Sequence, residues 1–213
     1  MLRRLVVTVV LLAVFAAGLD YGLRVWAGLW VGDRTQEALH LSKRPSVSFG
    51  GLLFTPQVIQ GHIDSATLES DDFKVRDVAF SHARLTFEDV RFQTGKLLLH
   101  HRGLVRVASG DGVLAMNGPD LTRAFRAAGV NVSIRISRGE ILASGGSLPG
   151  QVTASATTDN GSLVLQASQA ALAIRLPLPR LGHGIAYTDV AVNGNEAELT
   201  VRVQRARLTR LVG

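Results

Sequence analysis

Beyond Leu41 the chain settles into alternation of apolar and polar residues. The clearest case is "VNVSIRIS", where Val130, Val132, Ile134 and Ile136 share one face and Asn131, Ser133, Arg135 and Ser137 the other. A period of two is that of a strand with one buried side. Similar alternation recurs over 163–166, 172–176, 185–192 and 197–203. Turn signals punctuate these runs: Gly110-Asp111-Gly112, Arg138-Gly139, Asp159-Asn160-Gly161 and Asn193-Gly194. In "ARLTFEDVRF" the apolar phase moves from Leu85 and Phe87 to Val90 and Phe92, which predicts a bulge near Asp89. The expectation is about ten strands joined mostly by hairpins, forming one long, highly curved antiparallel sheet.

Two segments carry a helical pattern. In "GPDLTRAFRAAG" Pro119 suits a first turn and Asp120 the positive helix end. Leu121, Ala124, Phe125 and Ala128 fall on one face, and Gly129 follows the end. A second, short amphipathic helix is expected over 33–41 with Asp33 as its cap. The class is therefore mainly β with one or two helices (α+β), a single domain over 33–213 without linker or repeat.

The N-terminus differs. Arg3 and Arg4 precede an uncharged apolar run from Leu5 to Leu19, as in the basic and hydrophobic parts of an export signal. Asp20 and Arg24 interrupt the run at i,i+4 spacing, where they can pair, and Trp26 and Trp30 suit an interfacial belt. Residues 1–32 read as an N-terminal membrane helix, a signal anchor, or a signal cleaved after Gly18. Either way the remainder is expected on the outer side of the plasma membrane, in the cell envelope.

Composition narrows the chemistry. The absence of Cys excludes disulfides, thiol nucleophiles and a lipidated cysteine. Twenty Arg against three Lys says more about base composition than about function. The six His show no metal-ligand spacing, and His100-His101 would point to opposite faces of a strand. No nucleophile elbow, phosphate loop or dinucleotide fingerprint occurs. No cofactor, metal or catalytic residue is assigned. A glycolipid-acting enzyme would need a carboxylate set, for instance among Asp64, Asp71, Asp72 and Glu88.

One stretch resists a structural reading. "RPSVSFGGLLFTPQVIQGHID" concentrates Phe49, Leu52, Leu53, Phe54, Val58 and Ile59, yet Gly50, Gly51, Pro56 and Gly61 break it. A broken apolar loop fits a rim or lid over a lipid-lined space, with Leu121 and Phe125 as further lining. A packed lid without ligand is the plainer alternative. A one-sided apolar sheet with few helices must close, dimerise or hold a lipid. Arg202, Arg205, Arg207 and Arg210 follow the last acid, Glu198, and suit either anionic headgroups or a charged edge. The export signal argues against nucleic acid.

The same stretch, continued to "VRF", resembles the start of the LmeA-like phospholipid-binding family of actinobacterial envelopes. The resemblance rests on Pro45, Val47, Gly51, Phe54, Thr55, Gln57, Gly61, Val90 and Phe92, and on the late "IRLPLPRLGHGIAYTDVAVNGNEAELTV". Pro56 stands where the family pattern has none. The resemblance implies a tubular lipid-binding half-barrel, affinity for phospholipid, and a part in lipid or mannan-type lipoglycan maturation or in lipid transport. An envelope scaffold that binds no lipid is the alternative.

Overall fold

The computed structural model describes residues 2–39, 41–76, 78–93, 105–146, 148, 150–167, 173–181 and 183–208, without the side chains of 2–10, 12, 13, 38, 39, 207 and 208. His40, His100, His101 and Arg210 lie outside the described residues.

The alternating runs form strands where expected. Val132, Ile134 and Ile136 are buried while Asn131, Ser133 and Arg135 face solvent. The described strands are β1 (Ser46–Phe49), β2 (His62–Val75), β3 (Val78–Arg91), β4 (Val105–Asn117), β5 (Ser133–Ser137), β6 (Glu140–Ser144), β7 (Val152–Asp159), β8 (Ser162–Ala167), β9 (Ala173–Pro177), β10 (Ile185–Asn193) and β11 (Glu196–Leu208). They form two antiparallel sheets, not one. Six strands run β1-β2-β3-β4-β11-β10 and five run β5-β6-β7-β8-β9. The reason is the return of β11 to the free edge of β4, which leaves β5–β9 to pair among themselves.

Three turn expectations hold. Arg138 and Gly139, Asn160 and Gly161, and Gly194 all take the left-handed backbone of tight hairpins. Gly110-Asp111-Gly112 is no turn but the middle of β4. A Cβ at Gly110 would stand 2.4 Å from the Thr86 carbonyl oxygen, and one at Gly112 2.6 Å from that of Arg84. Those glycines let β3 approach.

The shift near Asp89 is real and wider than one strand. Burial passes from Phe87 to Val90 on β3, from Ala66 to Ile63 on β2, from Gly110 to Val107 on β4 and from Val203 to Ala206 on β11. Asp89 and Arg205 carry positive φ, 49° and 46°. Pairing nonetheless keeps one register, Ser65↔Glu88 and Ile63↔Val90, Glu88↔Ser109 and Val90↔Val107. All four strands change phase at one row, creasing the sheet without slipping it.

The crease separates two apolar clusters. The larger fills the space between the sheets with Phe80, Leu114, Met116, Ile141, Leu163, Leu165, Leu199 and Val201. The smaller holds Phe54, Ile63, Val90, Val107, Val203 and Ala206.

Among the described residues three helices accompany the sheets: α1 (Leu2–Leu39), α2 (Phe54–Gln60) and α3 (Gly118–Ala127). Helix α3 matches its sequence signals, with Asn117 Oδ1 accepting from the Asp120 N–H at 2.8 Å. The separate helix capped by Asp33 does not exist. Helix α1 runs unbroken through Gly32 and Asp33, and Asp33 instead pairs with Arg44 at 3.0 Å. Among the described residues no helix is long and apolar enough to cross a membrane, so the expected N-terminal membrane helix finds no support.

Candidate functional site

The breakers in 44–64 turn out to be the punctuation of a short helix. Pro56 occupies the first turn of α2, where a missing N–H costs nothing. Gly61 closes α2 in the left-handed conformation at φ 72°. Gly51, at φ 98°, turns the chain where any Cβ would strike the Gln57 amide and the Asp64 carboxylate. Gln57 in turn accepts from the Asp64 N–H at 2.9 Å.

This geometry sorts the six apolar residues into two sets. Phe49 and Phe54 stack with ring centroids 5.1 Å apart and, with Val58, join the smaller cluster. Leu52, Leu53 and Ile59 point to solvent, 93%, 51% and 73% exposed. An apolar lip is thus held out by an apolar root.

Helix α1 holds the lip in place. Leu53 precedes α2 without offering a side-chain cap. The cap comes from Asp20, whose carboxylate accepts from the Thr55 N–H at 2.6 Å and the Phe54 N–H at 3.0 Å. Arg24 lies 3.6 Å from Asp20 and donates to the Gly51 carbonyl at 3.0 Å. Leu52 and Leu53 stand between these two attachments. One turn further along, a Cβ at Gly28 would lie 2.4 Å from the Val47 carbonyl oxygen, and one at Gly32 2.7 Å from that of Pro45. Residues 20, 24, 28 and 32 form one stripe on α1, and the two glycines let it lie on the β1 backbone.

The backbone N–H groups of Thr55 and Phe54 hold the Asp20 carboxyl below the usual carboxylate range. A depressed carboxyl stabilises the fold above its unfolded pKa of about 3.9 and loses that contribution as pH falls through its lower folded value. Asp20→Ala is therefore expected to reduce hydrogen-exchange protection at the Phe54 and Thr55 amides at neutral pH. It should also remove the acid-side fall in protection expected of the native chain below about pH 4. Unchanged protection in the variant would mean that the loop stands without α1.

Between α1 and β1 runs a groove of about 450 Å³. Val25, Leu29, Val47 and Phe49 give it apolar walls, and Arg24, Arg44, Ser46 and Ser48 give it polar ones. The solvent side of α1 continues the apolar surface through Leu19, Leu23 and Trp26.

The other expected residues fall elsewhere. Leu121 and Phe125 are fully buried on α3 inside the larger cluster, packed against the protein's own side chains. Arg202 and Arg205 are exposed on β11 and make no ion pair with a described residue. Arg207 is opposite Arg106 in the β4–β11 register, and Arg106 is opposite Arg91. The carboxylates do not gather into one set: Asp71 meets His82, Asp72 meets Lys43, and Glu88 accepts from Ser109. His62 lies 3.7 Å from Asp64 and 3.2 Å from Asp89, but Arg91 occupies Asp89. Among the described residues no group of three or more His, Asp or Glu could hold a metal ion.

The family model described as LmeA-like phospholipid-binding matches residues 20–204, which begins at the capping carboxylate and covers most of the chain. The chain belongs to the LmeA-like phospholipid-binding family. No curated protein and no solved structure matches it.

The roles of Asp20 and Arg24 were missed because the buried stripe of α1 is Asp, Arg, Gly, Gly, which no search for an apolar face detects. The signal available was the spacing itself, four small or polar positions at intervals of four within an apolar helix.

Proposed function

We propose that this chain is a non-enzymatic phospholipid-binding protein of the cell envelope. The lipid would lie in the groove between α1 and β1, with its chains continuing under the lip of Leu52, Leu53 and Ile59. The observation that carries this reading is the exposed apolar lip tied by Asp20 and Arg24 to the helix that forms the other wall. Exposed leucines anchored on a rigid root gain free energy only by meeting another apolar surface.

Export behind Arg3 and Arg4, with retention near the membrane through the apolar run of 5–19, belongs to the same reading and is supported by the sequence. On α1 the residues Leu11, Val14 and Phe15 are each well exposed, which suits contact with lipid. Arg106, Arg202 and Arg205, all exposed on neighbouring strands, would steer the chain toward anionic headgroups, with Arg207 opposite Arg106 in the backbone register. A part in lipid transport or in lipoglycan maturation of the mannan type rests on the family resemblance.

Native mass spectrometry of the full chain, followed by lipid extraction, tests the reading. One copurifying phospholipid per chain is the expected result. A lipid-free chain that also takes up none from anionic vesicles would favour the scaffold alternative.

A further inference from the structure

We propose that His62 is a pH-sensitive latch that ties the root of the lip to the crease of the sheet through Asp64 and Asp89. As a regulator of lipid exchange it rests on the phospholipid-binding reading. As a contact within the fold it stands apart from that reading.

His62 opens β2 directly after Gly61, the residue that closes α2. Its Nε2 lies 3.2 Å from the Asp89 carboxylate, and its Nδ1 lies 3.7 Å from that of Asp64. Asp89 sits on the crease at φ 49°, and Arg91 donates to both of its oxygens. A carboxylate oxygen has a second lone pair, so Arg91 leaves room for the imidazole. Asp64 belongs to the lip side. Its N–H donates to Gln57 of α2, and its carboxylate borders Gly51, where the lip begins. The Phe92 N–H closes the junction on the Gly61 carbonyl at 2.9 Å. One ring therefore stands between both ends of the lip and the strand that carries the crease.

A neutral imidazole has one N–H, whereas an imidazolium has two. The neutral ring can donate to Asp89 or to Asp64, and the charged ring can donate to both. At 3.7 Å the bond to Asp64 is not made, so protonation is what closes it. The surrounding charges set the sign. Asp64 on β2 and Asp89 on β3 attract the imidazolium, and Arg91, opposite His62 on β3, repels it. Arg106 on β4 lies one strand further, opposite Arg91. Neither α2 nor β1 carries a titratable side chain. With a neutral ring the two acids outweigh Arg91, and the imidazolium cancels the excess. Hydrogen bonds to Arg91, with His62 adding to the effect, hold the Asp89 carboxyl below its usual range. This acceptor therefore stays anionic wherever a histidine titrates.

The contact to Asp64 is thus present in acid and lost as pH rises through about 5–8. With 35% of its side chain exposed, His62 exchanges protons with solvent directly. Asp64 held to the crease fixes Gln57 and Gly51 with it, and the lip opens less often. Lipid that enters and leaves beneath the lip is then slowed in both directions, with its affinity unchanged.

The test is hydrogen exchange on the full, lipid-free chain at about pH 5 and about pH 8, corrected for intrinsic rates. The native chain is expected to protect the Asp64 and Phe92 amides about threefold better in acid, the size of an exposed ion pair. His62→Gln should show the lower protection at both pH values. His62→Lys keeps a positive charge throughout and should show the higher one at both. His82→Gln, which removes the histidine paired with Asp71, should follow the native chain. Exchange of phosphatidylcholine between vesicles should likewise be about threefold slower in acid for the native chain and equal at both pH values for His62→Gln.

Protection that ignores pH in the native chain, or that responds to pH equally in His62→Gln, would overturn the latch. Protection that follows pH while lipid exchange does not would overturn its part in lipid exchange. A native chain that takes up no lipid at either pH would overturn the phospholipid-binding reading, and the amide protection would still decide the latch.

Discussion

Replacing Leu52 and Leu53 together by Ser is expected to weaken binding to phospholipid vesicles roughly 100-fold, with little change in the unfolding midpoint. The magnitude follows from transfer. Burying a leucine side chain is worth about 1.5–3 kcal/mol, and each 1.4 kcal/mol is a factor of ten. Leu52 is 93% and Leu53 51% exposed, so a serine forfeits little packing at 52 and about half of a leucine's at 53. The root of the lip, Phe49 stacked on Phe54, is untouched by the change. Vesicle titration gives the affinity and thermal unfolding the stability. Undiminished binding would mean that the lip does not enter hydrocarbon.

Phe125→Ala should behave in the opposite way. Phe125 is fully buried on α3, and α3 packs on β5 and β3 between the two sheets. Truncating such a ring removes its transfer free energy and leaves a cavity, typically about 3–5 kcal/mol. Against a domain stability of roughly 5–15 kcal/mol this is a large share, visible in denaturant or thermal unfolding. The protein that remains folded should bind lipid as before, because no atom of Phe125 reaches the groove. A selective loss of lipid binding at unchanged stability would place an acyl chain against α3 and move the site.

The contrast between these two variants follows a limit of the sequence. A leucine on a lip and a phenylalanine in a core have the same chemistry, and both Leu53 and Phe125 were candidates for lipid contact. Burial separates them, and burial depends on which elements meet. Where one strand decides its own fate, the pattern was legible: Val132, Ile134 and Ile136 turn inward, Arg138-Gly139 turns the chain, and Asn117 with Pro119 starts α3. Gly110 and Gly112 read as a turn because their reason for being glycine is the backbone of β3, which lies about two dozen residues upstream. The division into two sheets hangs on β11 choosing the edge of β4, a long-range pairing that no local signal carries.

Helix α1 was the least legible element. Its buried stripe of Asp20, Arg24, Gly28 and Gly32 serves close approach and capping in place of greasy contact. Of the apolar residues of α1 that stood out in the sequence, Leu11, Val14, Phe15, Leu19, Trp26 and Trp30 are exposed. A reading by hydrophobicity thus assigned residues 1–32 to a membrane segment, when residues 20–32 also complete the candidate site. Their exposed apolar faces and their inward polar stripe are compatible with both duties, contact with lipid on one side and support of the lip on the other.

The central claim is that the lipid lies between α1 and β1 beneath the lip. The most direct test is photo-crosslinking with a phospholipid that carries a diazirine in one acyl chain, followed by peptide mapping of the full chain. The account predicts adducts on α1 between residues 21 and 29 and on the segment 47–59. Adducts confined to the strands between the two sheets, or to α3, would contradict it and place the acyl chain in the interior of the fold.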